Sequence, residues 1–343
     1  MKKKLRKILL IVFLLFPHFI IPVTADKEGY YYIKAEIPEN QVDRNKSYFD
    51  LLVEPGQIQT LYVQVLNISN KAIEVVASIN NAATNTNGTI MYTVHGIKDD
   101  SMVFSIEDIA TIKESKFILD ANSSTFLEIE LNVPIEAFQG TILGGICVQA
   151  EYVEKEEVVN NSSSIQIENK LTYVIGLQLR EDLSTTVIPN INYLSTKPLL
   201  HNISSAVGIR IQNSEPIIMK GVIVEAEIYK ANSDKVLYQF HGNAVEIAPN
   251  SAFDIAVVWG NERLQAGTYR LKLRVQYEKH QWTWEEEFII ERDKIGEINE
   301  QAVNIDRSFP TWIYYLLGII ICLIIVVLAF ILGQKSAGKK RRN

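Results

Sequence analysis

The clearest pattern in the chain is a strict alternation of apolar and polar residues in its second half. Residues 269–278 read Tyr-Arg-Leu-Lys-Leu-Arg-Val-Gln-Tyr-Glu, so that every second side chain is apolar. In an extended strand, successive side chains point to opposite faces of the sheet. The segment is therefore predicted to form a half-buried antiparallel strand.

The same period recurs along the chain and is interrupted by residues typical of turns. Four more alternating segments stand at Leu61–Val65, Ile73–Ile79, Phe126–Val133 and Val222–Ile228. Turn-forming glycine, proline and asparagine residues stand between the segments, at positions 54–56, 85–88, 248–250 and 266–267. Between the chain ends, the best helical candidate is a short turn near Ser105–Ile112.

Short strands separated by turns predict an all-β fold of two tandem immunoglobulin-like β-sandwich domains, followed by a single C-terminal transmembrane helix. A polar stretch without hydrophobic period, Glu151–Ser164, marks the expected boundary between the domains. The predicted domains are residues 26–160 and 161–308. Cuts near residue 160 are expected to leave two fragments that each fold.

The N-terminus has the layout of a secretory signal peptide, predicted as residues 1–25. Five basic residues lie within the first seven, a nine-residue apolar run covers Ile8–Phe16, and small residues at Val23 and Ala25 precede the expected cleavage site. The alternative, an uncleaved membrane helix, is disfavoured because Pro17 and His18 interrupt the run.

The C-terminus is predicted to anchor the chain in a membrane. Residues 312–332 are free of charge, and at about 1.5 Å per residue a helix of this length spans about 31 Å, the thickness of a bilayer core. A basic tail, 333–343, follows and should stay cytoplasmic. The predicted protein is thus a single-pass protein of the cell membrane, with its ectodomain outside at the cell wall.

Charge is distributed unevenly. Ten of the 34 basic residues lie in the two ends, which leaves 24 basic against all 40 acidic residues in between. Because the part of the chain between the two ends is acidic, nucleic acid is not expected as a partner, nor is adsorption to an anionic membrane surface.

The sequence offers little that resembles catalytic or metal chemistry. The five histidines are far apart, no Cys-x-x-Cys pair occurs, and there is neither a Gly-x-Ser-x-Gly elbow nor a glycine loop for phosphate. We therefore expect a protein that is not an enzyme, with no catalytic residue, no metal site and no cofactor. Cys147, in an apolar strand, is expected to be a small buried side chain.

Polar loops suited to recognition remain. Asn81, Asn85, Asn87 and Gly88 form the candidate binding loop, because side-chain amides can both donate and accept hydrogen bonds to a sugar or peptide. The alternative is an ordinary turn rich in asparagine. Trp282 and Trp284 share one strand face, for which core packing is favoured over an exposed stacking platform.

Several segments together resemble the WxL-interacting proteins of low-GC Gram-positive bacteria. Residues 37–67, 81–92 and 133–146 resemble the first domain of that family. Residues 173–181, Gln212-Asn213 and 248–275 resemble its second domain. None of the four tryptophans is followed two residues later by leucine, so the chain resembles the interacting partner and not the WxL protein.

The resemblance implies an N-terminal peptidoglycan-binding domain and a C-terminal host-binding domain. Its implied partners are peptidoglycan, a WxL-domain surface protein and, as a further candidate, a host extracellular protein. The expected function is a membrane-anchored surface protein that docks on peptidoglycan and tethers a WxL protein or a host ligand. The alternative is a membrane-anchored assembly chaperone that holds secreted clients by strand addition.

Overall fold

The computed structural model describes residues 30–153, 171–260 and 262–302, together with Ile319, Ile320 and Leu323. The predicted signal peptide 1–25, the basic tail 333–343 and all but three residues of the predicted anchor 312–332 lie outside the described residues. Within those ranges, no helix is both long and apolar enough to cross a membrane.

The described residues form mostly β-strands. In chain order the elements are β1 (Tyr31–Glu36), β2 (Phe49–Leu52), β3 (Ile58–Asn67), β4 (Ile73–Asn81), β5 (Ala83–Thr84), β6 (Ile90–Met91), α1 (Ile106–Ile109), β7 (Ala110–Ile112), β8 (Lys116–Leu119), β9 (Ser124–Asn132), β10 (Ile142–Tyr152), β11 (Thr172–Arg180), β12 (Ile191–His201), β13 (Ser204–Asn213), β14 (Met219–Lys230), β15 (Val236–Ile247), β16 (Ser251–Val258), β17 (Gly267–Tyr277), β18 (His280–Ile290) and α2 (Arg292–Gln301). The short turn expected near Ser105–Ile112 is confirmed: it contains the four-residue helix α1.

The strands divide between two compact units. The first takes its described residues from Met1–Asn80, Ile106–Ala137 and Gly144–Glu181. It contains a four-stranded sheet in the order β1-β3-β9-β7 and a five-stranded sheet in the order β2-β11-β10-β4-β8. Both sheets contribute fully buried aliphatic side chains, as expected of a sandwich.

The second unit takes its described residues from Asn81–Ser105, Phe138–Leu143 and Asp182–Asn343. Its sheets are β12-β13-β16 and β15-β14-β17-β18, with the small β5-β6 ribbon as an addition. One hydrophobic cluster joins the two larger sheets, and Trp259 is its largest fully buried side chain. The Tyr238 ring stacks on Trp259 with centroids 4.1 Å apart.

The alternation in the sequence describes the strands accurately. Along β17, Tyr269, Leu271, Leu273 and Val275 are buried, while the intervening Arg270, Lys272 and Arg274 are not. Trp282 and Trp284 are partly buried and pack against the cluster of the second unit, as predicted.

Neither unit is one continuous stretch of the chain, so a single boundary does not separate them. β11 lies after residue 160 and belongs to the first unit, where it runs parallel to β2 with Leu177 opposite Phe49 and Leu179 opposite Leu51. Residues 81–105 lie before residue 160 and belong to the second unit. The predicted domain ranges, 26–160 and 161–308, stay a prediction about how the chain divides.

α2 is held to the second unit by a buried side chain. The Asn299 side-chain oxygen accepts a hydrogen bond from the Leu264 backbone N–H at 2.9 Å, and its amide donates to the Leu264 carbonyl at 3.1 Å. This pair of bonds satisfies both ends of the amide in a buried setting.

Candidate functional site

In the predicted binding loop, the side-chain amides of Asn81 and Asn85 form hydrogen bonds within the second unit. Asn81 is buried, its Nδ2 donates to the Ile97 carbonyl at 2.9 Å, and its Oδ1 accepts from the Ser105 hydroxyl at 2.9 Å. The Asn85 Oδ1 accepts from the backbone N–H groups of Asn87 at 2.9 Å and Thr89 at 3.1 Å. The arrangement at Asn85 is an Asx-turn, the alternative considered from the sequence.

Gly88 packs closely against β15. It has a φ of +71°, and a Cβ placed there would lie 2.9 Å from Val245 Cγ1. The Gly88 carbonyl also accepts a hydrogen bond from the Glu246 N–H at 2.8 Å. Of the four predicted residues, only Asn87 is exposed. The binding role of this loop stays a prediction, because nothing in its geometry tests it.

A different surface presents aromatic rings to solvent. On the outer face of the four-stranded sheet in the first unit, Tyr62 of β3 is 42% exposed and Phe126 of β9 is 52% exposed. Their ring centroids lie 6.2 Å apart in an edge-to-face arrangement of 84°. Large exposed apolar groups clustered on a sheet face are typical of an interaction site. We call this surface the Tyr62–Phe126 face.

Polar side chains surround these two rings. In the strand register, Tyr62 lies opposite Glu128, and Gln64 lies opposite Phe126. The Lys113 Nζ forms an ion pair of 2.5 Å with Glu128 Oε2. Rings flanked by amides and carboxylates can pack against the C–H face of a sugar while the polar groups bond to its hydroxyls.

This surface was not predicted from the sequence, although the sequence contains a signal for it. Tyr62 stands at a polar position of an alternating strand, between Leu61 and Val63, which are buried. Phe126 occupies the same kind of position in β9. An aromatic residue at the outward positions of two neighbouring strands is therefore the pattern that predicts such a face.

The second unit carries a polar depression on the outer face of the sheet β15-β14-β17-β18. It has a volume of about 760 Å³ and includes Glu225, His241 and Arg274 in its lining. The Arg274 guanidinium donates to Glu225, with Nε 2.9 Å from Oε2, and this bond lowers the pKa of the Glu225 carboxyl. His241 Nδ1 lies 3.4 Å from the other oxygen of Glu225.

Charge pairs extend along the same face. Arg270 donates to Asp234 and to Glu285, each at 2.8 Å, and its guanidinium lies 5.0 Å from the centre of the Tyr229 ring. The Lys272 Nζ approaches the same ring at 5.5 Å. Alternating charges of this kind suit a protein surface of complementary charge, because they favour one orientation over others.

Chemistry for catalysis or metals is not apparent in the described part of the chain. No group of three or more histidine, cysteine, aspartate or glutamate side chains there could hold a metal ion. Cys147 is buried, and this burial raises the pKa of its thiol. The expectation of a small buried side chain at Cys147 is confirmed.

Comparison with protein families identifies both halves of the chain. Residues 31–150 match the peptidoglycan-binding domain of the WxL Interacting Protein family, and residues 162–300 match its host-binding domain. The two ranges cover more than half of the chain, in the order expected from the sequence. The chain belongs to the WxL-interacting protein family.

Both matched domains of the family are binding domains. The Tyr62–Phe126 face lies in the range of the peptidoglycan-binding domain, and the depression around Glu225 lies in the range of the host-binding domain. No curated protein matches the chain.

Solved structures with similarity to the chain are distant. The PapD-like domain 7 of human CEP192 is 11% identical with a TM-score of 0.28, covering 50% of this chain and 97% of that chain. The YadV chaperone is 10% identical with a TM-score of 0.30, covering 76% and 100%. The E. coli chaperone DraB is 13% identical with a TM-score of 0.28, covering 76% and 95%. No functional conclusion follows from similarity this remote.

Proposed function

We propose that the protein is anchored in the cell membrane by residues 312–332, docks on peptidoglycan through the Tyr62–Phe126 face, and tethers a WxL-domain surface protein or a host ligand through its second unit. The observation that carries the proposal is an exposed aromatic pair on the outer sheet of a unit whose sequence matches a peptidoglycan-binding domain.

Charge supports a contact made at short range. Residues 26–160 carry 9 basic and 21 acidic residues, whereas residues 161–312 carry 15 and 19. The Gram-positive wall is itself polyanionic, so long-range attraction does not bring the more acidic domain to it. Stacking on Tyr62 and Phe126 and hydrogen bonds to sugar hydroxyls act at contact distance, where salt screens little.

Membrane attachment is supported by the two ends of the sequence. The signal-like segment 1–25 and the uncharged segment 312–332 with its basic tail predict secretion followed by retention in the membrane. Protease added to wall-stripped cells should leave only the anchor and its tail, and the mature protein should begin near Asp26. Surface-exposed protein that still begins at Met1 would contradict cleavage.

Partner binding is supported by the polar surface of the second unit. The depression beside Glu225 and Arg274 presents both signs of charge, and such faces select partners by complementarity. A WxL-domain protein is the proposed partner because the family is defined by that interaction and this chain carries no Trp-x-Leu motif of its own.

Co-sedimentation of the 26–308 fragment with purified peptidoglycan tests the wall contact. Replacing Tyr62 and Phe126 together with alanine is expected to weaken binding by about tenfold or more, because an aromatic contact contributes about 0.5–1.5 kcal/mol per ring and about 1.4 kcal/mol is a factor of ten in affinity. Tyr62→Phe keeps the ring and should retain binding. Ile135→Ala removes an exposed apolar side chain elsewhere in the first unit and serves as the matched control.

Unchanged sedimentation of the double alanine variant, with an unchanged melting temperature, would exclude this face as the wall contact.

The alternative function is an assembly chaperone that holds secreted clients. One observation favours it: β9 pairs with β3 over residues 124–132, whereas on its other side β7 pairs only with residues 129–131, which leaves a strand edge open in the first unit. A chaperone releases its client after folding, whereas a tether stays in a stable complex at the mature surface. Pull-down of the WxL partner from mature cell surfaces distinguishes the two, because only the tether retains the complex there.

A further inference from the structure

β9 is paired along its whole length on one side only. On that side it pairs with β3 from Ser124 to Asn132. On the other side β7 covers three residues, ending with Ile112 opposite Ile129. The last bond of this ladder runs from the Lys113 N–H to the Glu128 carbonyl at 3.1 Å. Residues 124–127 therefore lie beyond the end of β7.

The direction of the backbone groups shows which of them are open. In a strand, the N–H and C=O of one residue point to the same side, and neighbouring residues point to opposite sides. The Glu128 carbonyl points toward β7, so the groups of Phe126 and Ser124 point to that side as well. Among the described residues, nothing pairs with them there. The Ser123 carbonyl, by contrast, accepts from the Asn67 N–H at 2.9 Å on the β3 side.

β8 provides a second open edge nearby. It is the last strand of the five-stranded sheet, and the Ser115 carbonyl just before it accepts from the Ala77 N–H at 2.8 Å. By the same alternation, the backbone of Ile118 points away from β4, and its side chain is 61% exposed.

A cleft of about 700 Å³ is lined by residues of β8 and β9. Its lining includes the buried side chains of Leu119 and Leu127. Two carboxylates at its margin, those of Glu114 and Asp120, form no ion pair among the described residues. The site thus combines open backbone groups, an apolar floor and uncompensated negative charge.

Open N–H and C=O groups at every second residue match only another extended chain, because a helix has already used its own. We propose that residues 124–127 of β9 bind an extended segment of a protein partner. The segment lies beside β9, in line with β7, and it has aliphatic side chains at alternate positions with basic residues beside them. The inference rests on the proposed function, since it gives the tethered partner a further contact in the first unit, besides the polar surface of the second unit.

Charge disfavours a second copy of this chain as the occupant. Residues 26–160 carry a net charge of −12, so two such domains repel one another. A segment with basic flanks instead compensates Glu114 and Asp120.

Hydrogen exchange on the full-length protein in detergent tests the proposal. The probe is an acetylated and amidated peptide with alternating threonine and valine between two terminal lysines. We expect millimolar peptide to slow exchange of the Phe126 N–H by at least tenfold, whereas the Leu127 N–H, already bonded to β3, stays unchanged. A peptide with proline at its central valine lacks the N–H that the ladder needs and should have no effect.

Two variants form a matched pair. Ser124→Pro removes an N–H on the open side at the first residue of the strand, where proline is tolerated. It should abolish the effect of the peptide, whereas Ser124→Ala, which keeps the N–H, should preserve it. Melting of both variants and their sedimentation with peptidoglycan report that the fold and the wall contact are intact.

Four results would overturn the proposal. They are no slowing at Phe126 with saturating peptide, equal slowing with the proline peptide, an amide as protected as Leu127 in the protein without peptide, or protection that rises with protein concentration alone. The last would indicate self-association. None of these results bears on sedimentation with peptidoglycan, so failure here is distinguishable from failure of the proposed function.

Discussion

Asn67 and Asn213 occupy the same position in the two units, each as the last residue of a strand with a buried side-chain amide. The Asn67 Nδ2 donates to the carbonyls of Lys71 and Asp120, both at 2.9 Å. The Asn213 Nδ2 donates to the carbonyls of Ile217 at 2.8 Å and Ala248 at 2.9 Å. In both cases one acceptor lies four residues later, and the other directly follows a distant strand: Asp120 follows β8 and Ala248 follows β15.

The corner around each amide is built in the same way. The residue that follows by two positions, Ser69 or Glu215, donates its N–H to the asparagine Oδ1. The carbonyl of that same residue accepts from the N–H of Asn122 or Asn250. Asn122 and Asn250 have φ values of 52° and 44°, a conformation that asparagine tolerates better than most residues. Each unit therefore holds the end of one strand with an equivalent pair of asparagines, Asn67 with Asn122 in the first unit and Asn213 with Asn250 in the second.

Replacing Asn67 or Asn213 with alanine should destabilise the protein by about 2–4 kcal/mol, because each change leaves buried carbonyl groups without a donor. Urea denaturation of the 26–308 fragment measures the effect. Asn132→Ala removes an exposed amide and should change the free energy of unfolding by less than about 0.5 kcal/mol. Equal effects for the exposed and buried positions would contradict the role of these amides.

Gly88→Ala should cost about 2–4 kcal/mol, because the positive φ disfavours a side chain and Val245 occupies the space of its Cβ. Gly96→Ala is the matched control, since Gly96 has a φ of +76° with no atom within 4 Å of an added Cβ. The difference between the two losses of stability reports the contact with Val245 alone. If both variants lose equally, that contact is not close in solution.

A fragment of residues 26–181 should melt at a higher temperature than the fragment 26–160. β11, which only the longer fragment contains, buries Ile175, Leu177 and Leu179. It also pairs with β2 and places Arg180 at 2.5 Å from Asp50. Circular dichroism melts of both fragments give the comparison. An equal melting temperature would mean that the shorter range is already complete.

The Cys147 thiol should react slowly with thiol reagents in the folded 26–308 fragment, which contains no other cysteine. Burial raises the pKa of this thiol, and the Asn80 Nδ2 lies 3.2 Å from its sulfur. Because only the thiolate reacts, labelling at pH 8 should be at least ~100-fold slower than in denaturant. Rapid labelling of the native fragment would show that this strand opens readily.

Binding of the 26–308 fragment to peptidoglycan should stay equal or increase as NaCl rises from low to physiological concentration. Salt screens the repulsion between an acidic domain and a polyanionic wall over about 10 Å, but it hardly weakens stacking. Sedimentation across a salt series measures this. Binding that collapses at moderate salt would indicate a basic contact patch instead.

The loop of Asn81, Asn85, Asn87 and Gly88 shows where prediction from local residues stops. Its composition suits both recognition and a turn, and the sequence contains nothing that separates the two. In the structure, Thr84 Oγ1 accepts a hydrogen bond from the Ala248 N–H at 2.9 Å, across 164 residues of sequence. Such a bond fixes the loop in the second unit and cannot be anticipated from its neighbours in the chain.

The Tyr62–Phe126 face could be anticipated only in part. Each ring stands at an outward position of an alternating strand, which is visible in the sequence. Their proximity depends on the register of β3 with β9, where Gln64 lies opposite Phe126. Register is set by pairing between distant segments, so neither segment alone predicts it.

The sequence by itself determined the five alternating strand segments, the burial of Cys147 and of the inward face of β17, the short turn at α1 and the family. It could do so because a side-chain period of two and turn-forming residues are local properties. Only the tertiary structure decided that β11 completes the first unit and that residues 81–105 belong to the second. Those assignments depend on hydrogen bonds and packing between segments far apart in the chain, whose energies no local pattern encodes.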